Sequence, residues 1–243
     1  MFFKTRKSPG ISFIDTDVHA HFLPGIDDGA RDMDDSLALL DGLRRLGYRK
    51  MVATPHIMED HYRNDAGIIR AKLEEVREAV AGQGWDIELD AAAEYMIDGQ
   101  FSELLEAEAL LPVFDNYVLV ELGRFAPPFG LKELIFRMKI KGYTPILAHP
   151  ERYPFFEKEE KQLQSLRDMG VAFQVNLLSL IGYYGSGARR RAEALLKREW
   201  VEFLGTDLHH DRQLRLLQEL AGNSSVCKRI QKLPLLNTAI RQT

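Results

Sequence analysis

A chain of 243 residues with one cysteine can form no internal disulfide and cannot build a Cys-rich zinc module. That cysteine, Cys227, lies in Ser225-Val226-Cys227-Lys228-Arg229-Ile230, without the glycine-rich loop in which a thiolate nucleophile would cradle a phosphate. No run approaches the roughly 20 apolar residues of a membrane span. The first residues, Met1-Phe2-Phe3-Lys4-Thr5-Arg6-Lys7, are cationic but lead into no hydrophobic segment, so the expectation is a cytoplasmic protein without a signal peptide. A basic excess is also missing. The net charge of −4 and pI near 6.0 give no electrostatic support to nucleic-acid binding. Low-complexity linkers, composition shifts and evident repeats are absent too. One domain over 1–243 is expected, with 1–12 as a flexible N-terminal extension.

What remains is ordinary globular composition, 45% hydrophobic and 28% charged, laid out as alternating strands and helices. After an opening strand that runs into Asp17-Val18-His19-Ala20-His21, strand-like runs fall at 50–54, 85–93, 117–121, 144–149, 171–176 and 201–205. Helical periodicity marks 31–47, 68–80, 101–109, 131–141, 158–170, 188–199 and 213–221, followed by a C-terminal helical segment. Tyr117-Val118-Leu119-Val120 is almost wholly apolar, as in a parallel strand covered on both faces. The class is α/β with a parallel sheet. Seven strand candidates suit a barrel one unit short of eight, although an open sheet has the same pattern.

Residues able to ligate metal recur at the ends of these strands. His19 and His21 share a strand face about 7 Å apart along the chain. Asp28 lies in the loop beyond Pro24-Gly25, His56 follows the second strand, and Glu94 ends the third. Glu121 ends the fourth, His149 the fifth, and Asp207 and His209 follow the seventh. This is the face on which α/β folds carry their sites. Charges at buried strand ends are costly unless paired or coordinated. Singly, each residue could be a paired carboxylate or a satisfied turn histidine. Together they point to two or three divalent ions, with manganese expected and iron or zinc as alternatives. Paired ions of this kind are equipment for phosphoester hydrolysis.

The segments His19-Ala20-His21, Gly25-Ile26-Asp27-Asp28-Gly29, Ala53-Thr54-Pro55-His56, Ala93-Glu94, Val120-Glu121, Ala148-His149-Pro150-Glu151-Arg152-Tyr153 and Thr206-Asp207-Leu208-His209 resemble the PHP (polymerase and histidinol phosphatase) superfamily. Within it, the likeness is to the bacterial metal-dependent tyrosine-protein phosphatases of capsule and exopolysaccharide loci, from about Asp15 to His209. The resemblance implies a distorted seven-stranded β/α (TIM-like) barrel of PHP fold with a trinuclear site. By position, His19, His21, Glu94 and Asp207 would hold the first ion. Glu94 would bridge to the second, with Glu121 and His149, and Asp28, His56 and His209 would hold the third. Arg152 would meet the phosphate. A second phosphate arginine is best matched by Arg212, with Arg215 competing. The implied reaction is attack on phosphotyrosine by a metal-bridging hydroxide, the implied partner an autophosphorylating tyrosine kinase controlling polysaccharide export.

Tyr62, Phe125, Tyr153, Phe155, Tyr183 and Tyr184 could wall the cleft, though half or more of such aromatics serve packing or lie on the surface. Arg189-Arg190-Arg191 reads as a solvated face or a guide for an acidic partner. Asp17 and Asp27 are supporting candidates. Two rivals stand beside the main reading: a histidinol-phosphate phosphatase on the same scaffold, and a non-catalytic, metal-stabilised PHP-like binding module.

Overall fold

Alternation of covered strands with half-covered helices organises the chain. A computed structural model describes residues 10–157 and 160–241. Nine strands occur among these: β1 (Thr16–Ala20), β2 (Lys50–Ala53), β3 (His56–Ile57), β4 (Glu88–Ala91), β5 (Glu94–Met96), β6 (Tyr117–Glu121), β7 (Thr144–Ala148), β8 (Ala172–Asn176) and β9 (Phe203–Gly205). The helices are α1 (Met33–Leu46), α2 (Ala66–Gln83), α3 (Gly99–Glu106), α4 (Leu131–Ile140), α5 (Glu160–Asp168), α6 (Gly185–Lys197), α7 (Asp211–Gly222) and α8 (Ser224–Ile230). The first two residues of the helix expected over 158–170 lie outside the described residues. So do residues 1–9 of the expected extension; beyond them, Ile11 is buried and Ser12–Ile14 forms a 3-10 turn.

Local signals set the helix ends. Asp32 caps α1 by accepting the Asp35 N–H. Gly47 closes it at φ 101°, and a Cβ there would stand 2.4 Å from Ser12 Cβ. Leu39, Leu40 and Leu43 turn inward between these caps.

All named strand pairings are parallel, in two sheets ordered β1-β2-β4 and β3-β5-β6-β7-β8-β9. Two of the seven expected strands, over 50–54 and 85–93, are thus each followed by a further short strand, β3 and β5, in the other sheet. Thr54-Pro55 separates β2 from β3, where proline has no N–H for the ladder, and Ala92-Ala93 separates β4 from β5. Backbone hydrogen bonds carry the chain across these breaks, from Thr54 N to Ala20 O (2.8 Å), from Ala92 N to Ala53 O (2.8 Å) and from Glu94 N to Pro55 O (3.1 Å).

Strand pairing among the described residues does not close a barrel. Between β9 and β1, Asn237 intervenes: its Nδ2 donates to Thr16 O (2.9 Å) and Leu204 O (2.8 Å). Past the end of β9, Asp207 N donates to His19 O (2.8 Å) and His21 N to Leu208 O (2.9 Å). Strand faces from both sheets nevertheless meet in one inner apolar cluster that includes Val18, Val52, Leu119, Ile146 and Phe203. The alternate residues, among them Met51, Val118, Leu147 and Leu204, join the larger cluster with the helices. The carboxyl ends of the parallel strands consequently face one way.

Candidate metal centre

At that carboxyl end, the ligand-type side chains converge in three overlapping groups. In the first, His19 Nε2 lies 3.1 Å from Glu94 Oε2 and 3.3 Å from Asp207 Oδ1. His21 Nε2 lies 3.4 and 3.6 Å from the same two oxygens. In the second, His56 Nδ1 is 3.3 Å from Glu94 Oε2 and 3.0 Å from Glu121 Oε1, while His149 Nε2 is 2.8 Å from Glu94 Oε1. In the third, Asp28 Oδ1 is 3.4 Å from His56 Nε2 and 3.5 Å from His209 Nε2. His21 joins this third group as well, its ring stacked at 3.9 Å on that of His209.

The donor atoms fit divalent cations. His19 Nε2, His21 Nε2, His56 Nδ1, Glu94 Oε2 and Glu121 Oε1 are buried and have no hydrogen-bond partner. Such a concentration of unsatisfied nitrogen and oxygen is expensive unless a cation serves them. Imidazole and carboxylate without thiolate is the donor set of zinc, manganese or iron.

The electrostatics favour positive charge at the same point. Burial pulls the His19 imidazole down, but Glu94 and Asp207 overcome it and raise its pKa to about 9. Burial likewise opposes His56, yet Glu94, Asp28 and Glu121 raise it to about 12. Glu94 and Asp207 are pulled well below the carboxylate range, because their histidine neighbours outweigh the burial that would raise them. Protons and metal ions compete for these atoms.

The surroundings orient the ligands. Asp27 Oδ2 accepts from His21 Nδ1 (2.7 Å) and from the His56 backbone N–H (3.2 Å), while its Oδ1 accepts from Gly29 N (2.9 Å). His209 Nδ1 donates to Asp207 O at 3.0 Å. The two imidazole bonds leave the Nε2 atoms of His21 and His209 directed at the centre. Asp17 supports from below, accepting Thr206 Oγ1 (2.5 Å) and Thr206 N (3.1 Å). His149 and Asp207 hold left-handed backbones at φ 36° and 50°, strain of about 1–3 kcal/mol each of the sort that gathers at functional sites.

A cavity of about 410 Å³ opens over the groups. Arg152 stands in its wall, with Nη1 2.7 Å from Asp207 Oδ2 and the guanidinium 4.4 Å over the Tyr184 ring. Burial would lower its pKa, but Asp207 and neighbouring groups hold it raised, so it stays charged. Arg212 is exposed on the first turn of α7 and does not line the cavity, and Arg215 is paired with Asp211. The second arginine in the wall is Arg124, from the loop after β6. Of the aromatics, Tyr62, Tyr183 and Tyr184 line the cavity. Tyr153 is buried, with its hydroxyl accepting Leu122 N, Phe155 is half-buried, and Phe125 is wholly exposed. Arg190 and Arg191 engage Glu157, and Cys227 is buried and away from the cavity lining.

Sequence reasoning passed over Arg124 and two buried amides, Gln174 and Asn176. The amides left a trace: polar residues at alternate positions inside the otherwise apolar run Val171-Ala172-Phe173-Gln174-Val175-Asn176. Nothing around Arg124 marks it out.

Comparison with known proteins gives three findings. The family described as "Capsular polysaccharide synthesis, CpsB/CapC" matches residues 15–232. Tyrosine-protein phosphatase YwqE of Bacillus subtilis is 29% identical over 195 residues, which span 80% of this chain and 77% of that protein. Several solved structures resemble the fold, among them the following two. One, from work on YwqE of Bacillus subtilis and CpsB of Streptococcus pneumoniae as metal-dependent tyrosine phosphatases, superposes with a TM-score of 0.81 at 25% identity, covering 93% of this chain and 91% of that one. The other, histidinol phosphate phosphatase of Lactococcus lactis, superposes with a TM-score of 0.53 at 16% identity over 86% and 94% of the two chains, a likeness of fold alone.

Proposed function

The chain belongs to the CpsB/CapC family of capsular polysaccharide synthesis, and from that premise we propose that it is a metal-dependent protein-tyrosine phosphatase. One observation carries the reading: unsatisfied donor atoms in overlapping groups, two of which share Glu94, at the floor of an open cavity with an arginine in its wall. We assign His19, His21, Glu94 and Asp207 to one ion. Glu94, Glu121 and His149, with His56, serve a second, and Asp28, His56 and His209, with His21, serve a third. Manganese is the proposed ion. When bound, such ions supply a hydroxide nucleophile near neutral pH and neutralise phosphoryl charge.

The chain's own residues do the rest. Arg152, held against Asp207 and Tyr184, presents fixed positive charge to the phosphoryl oxygens, where charge shifts during transfer. Arg124 lies on the same wall and is better placed than Arg212 to be the second phosphate arginine. Tyr62, Tyr183 and Tyr184 give the substrate ring aromatic surface. A tyrosyl leaving group, with a pKa of about 10, departs more easily than an alkoxide and needs less help from a general acid. The scaffold is read as one phosphatase domain, a distorted seven-stranded β/α barrel whose two sheets share an inner cluster. A cytoplasmic location, with an autophosphorylating tyrosine kinase as the phosphoprotein partner, completes the proposal.

The test compares turnover of a phosphotyrosyl peptide and of histidinol phosphate by the manganese-loaded chain. Preference for the peptide, lost on chelation and regained with manganese, is expected. Preference for histidinol phosphate would move the chain to the small-molecule branch, and no turnover of either would leave a binding module.

A further inference from the structure

Behind the first group of ligands runs a buried chain of amides. His19 Nδ1 lies 2.7 Å from Gln174 Oε1. Gln174 Nε2 lies 2.8 Å from Asn176 Oδ1, and Asn176 Nδ2 lies 2.6 Å from Asp207 Oδ2. All four side chains are buried. Gln174 and Asn176 are two apart on β8 and so share one face of the strand.

The direction of every bond is decided at the Asp207 end. Oδ2 also receives Arg152 Nη1 (2.7 Å) and the Tyr184 hydroxyl (3.2 Å), and an oxygen already serving those donors is an acceptor only. Asn176 must therefore turn its NH₂ to Asp207 and its oxygen to Gln174. Gln174 must then turn its NH₂ to Asn176 and its oxygen to His19. His19 has one role left at Nδ1, that of donor, so in the neutral, metal-binding imidazole the lone pair falls on Nε2. Reversing Asn176 would set its oxygen against Asp207 Oδ2 and its NH₂ against that of Gln174, and reversing Gln174 would set its oxygen against that of Asn176.

We infer that Gln174 and Asn176 are positioning residues forming a one-way hydrogen-bond relay between His19 and Asp207. The relay presents His19 Nε2 and Asp207 Oδ1 together to one ion. Those two atoms lie 3.3 Å apart, on the side away from the relay. A second observation shows space kept for it. A Cβ at Gly205 would stand 2.7 Å from Gln174 Nε2 and 2.8 Å from His19 Cβ, so any side chain there would displace the relay or the histidine. The inference rests on the metal-centre reading and goes beyond it, because it joins two ligands through groups that touch no ion.

A double-mutant cycle with zinc alone as the probe tests the relay, without reference to any substrate. Gln174→Met and Asn176→Leu keep size and remove the hydrogen bonds. Zinc affinity is read by competition with a chelator for each equivalent bound, and circular dichroism checks the fold. Each single change is expected to weaken one equivalent by about 10–100-fold. The double variant is expected to lose no more than the weaker single variant, since breaking either link breaks the relay. Losses that multiply in the double variant, or singles within about twofold of the parent, would overturn the inference. If either variant fails to fold, Gln174→Glu decides: it keeps an acceptor for His19 but has no donor for Asn176. The same loss is expected there, and undiminished affinity would overturn the relay. A parent chain that binds no zinc would overturn the relay and the metal-centre reading together.

Discussion

At the scale of single residues, burial turns side chains into commitments. Asp17 is buried, and burial, partly offset by its hydrogen bonds from Thr206 and His19, pushes its pKa up to about 6 from 3.8. The folded state therefore holds this proton more tightly than the unfolded chain. The contribution is fully present below about pH 4 and is lost as pH rises through 6. The difference corresponds to about 3 kcal/mol. In metal-stripped protein, the parent should gain about that much relative to Asp17→Asn between pH 7 and pH 4; parallel denaturation curves across that range would contradict this. The arginines give a second residue-scale prediction. Arg152→Ala should lower kcat/KM by roughly 100-fold or more, because transition-state charge loses its fixed partner. Arg124→Ala should mainly raise KM, and Arg212→Ala, exposed and not itself in the cavity lining, should change turnover less than about twofold. Steady-state kinetics on a phosphotyrosyl peptide separate the three.

At the scale of elements, the helices hold the strand ends in register, and small residues decide how closely. Gly42 lies inside α1, where an isolated helix would gain about 1 kcal/mol from alanine. Here a Cβ would stand 2.2 Å from Leu214 Cδ2 and 2.8 Å from Leu214 Cγ, on the buried face of α7. Overpacking, at about 1–3 kcal/mol, wins over propensity. Gly42→Ala should therefore destabilise the protein by about 1 kcal/mol or more in urea denaturation, and a stabilised variant would show that α1 and α7 can separate. The strand breaks are also element-scale facts. Pro55, between β2 and β3, and the pair Ala92-Ala93, between β4 and β5, end one sheet and begin the next just where His56 and Glu94 enter the centre.

At the scale of the whole molecule, the proposed metal centre ties together residues from nearly the full length of the chain, from His19 to His209. Ions that bind only the folded chain must then stabilise all of it. At a free metal concentration of about 100 times Kd, the gain is about 2.7 kcal/mol. Thermal unfolding should shift upward by several degrees on adding manganese to stripped protein, and the shift should shrink when Glu94, shared by two groups, is changed to Gln. An unchanged midpoint in the parent would count against bound ions as part of the fold.

Much of this was legible in the chain itself. Strands in a parallel α/β fold all end on one face, so His19, His21, Glu94, Glu121, His149 and Asp207 could be placed together without strand order being known. Helix spans followed from apolar spacing and from the glycine that ends the helix at Gly47, while the Asp32 cap, which sets the observed start at Met33, went unread. Composition was enough to set aside thiolate chemistry. What only the tertiary structure decided depends on groups far apart in sequence. The grip of Asp17 on Thr206 spans 189 positions, and the link from Gln174 to His19 spans 155. No local pattern encodes which way an amide turns, whether β9 pairs directly with β1 or meets it through Asn237, or that Arg124 rather than Arg212 reaches the cavity wall. Those outcomes are set by which donors and acceptors packing leaves without water, and that is a property of the assembled interior.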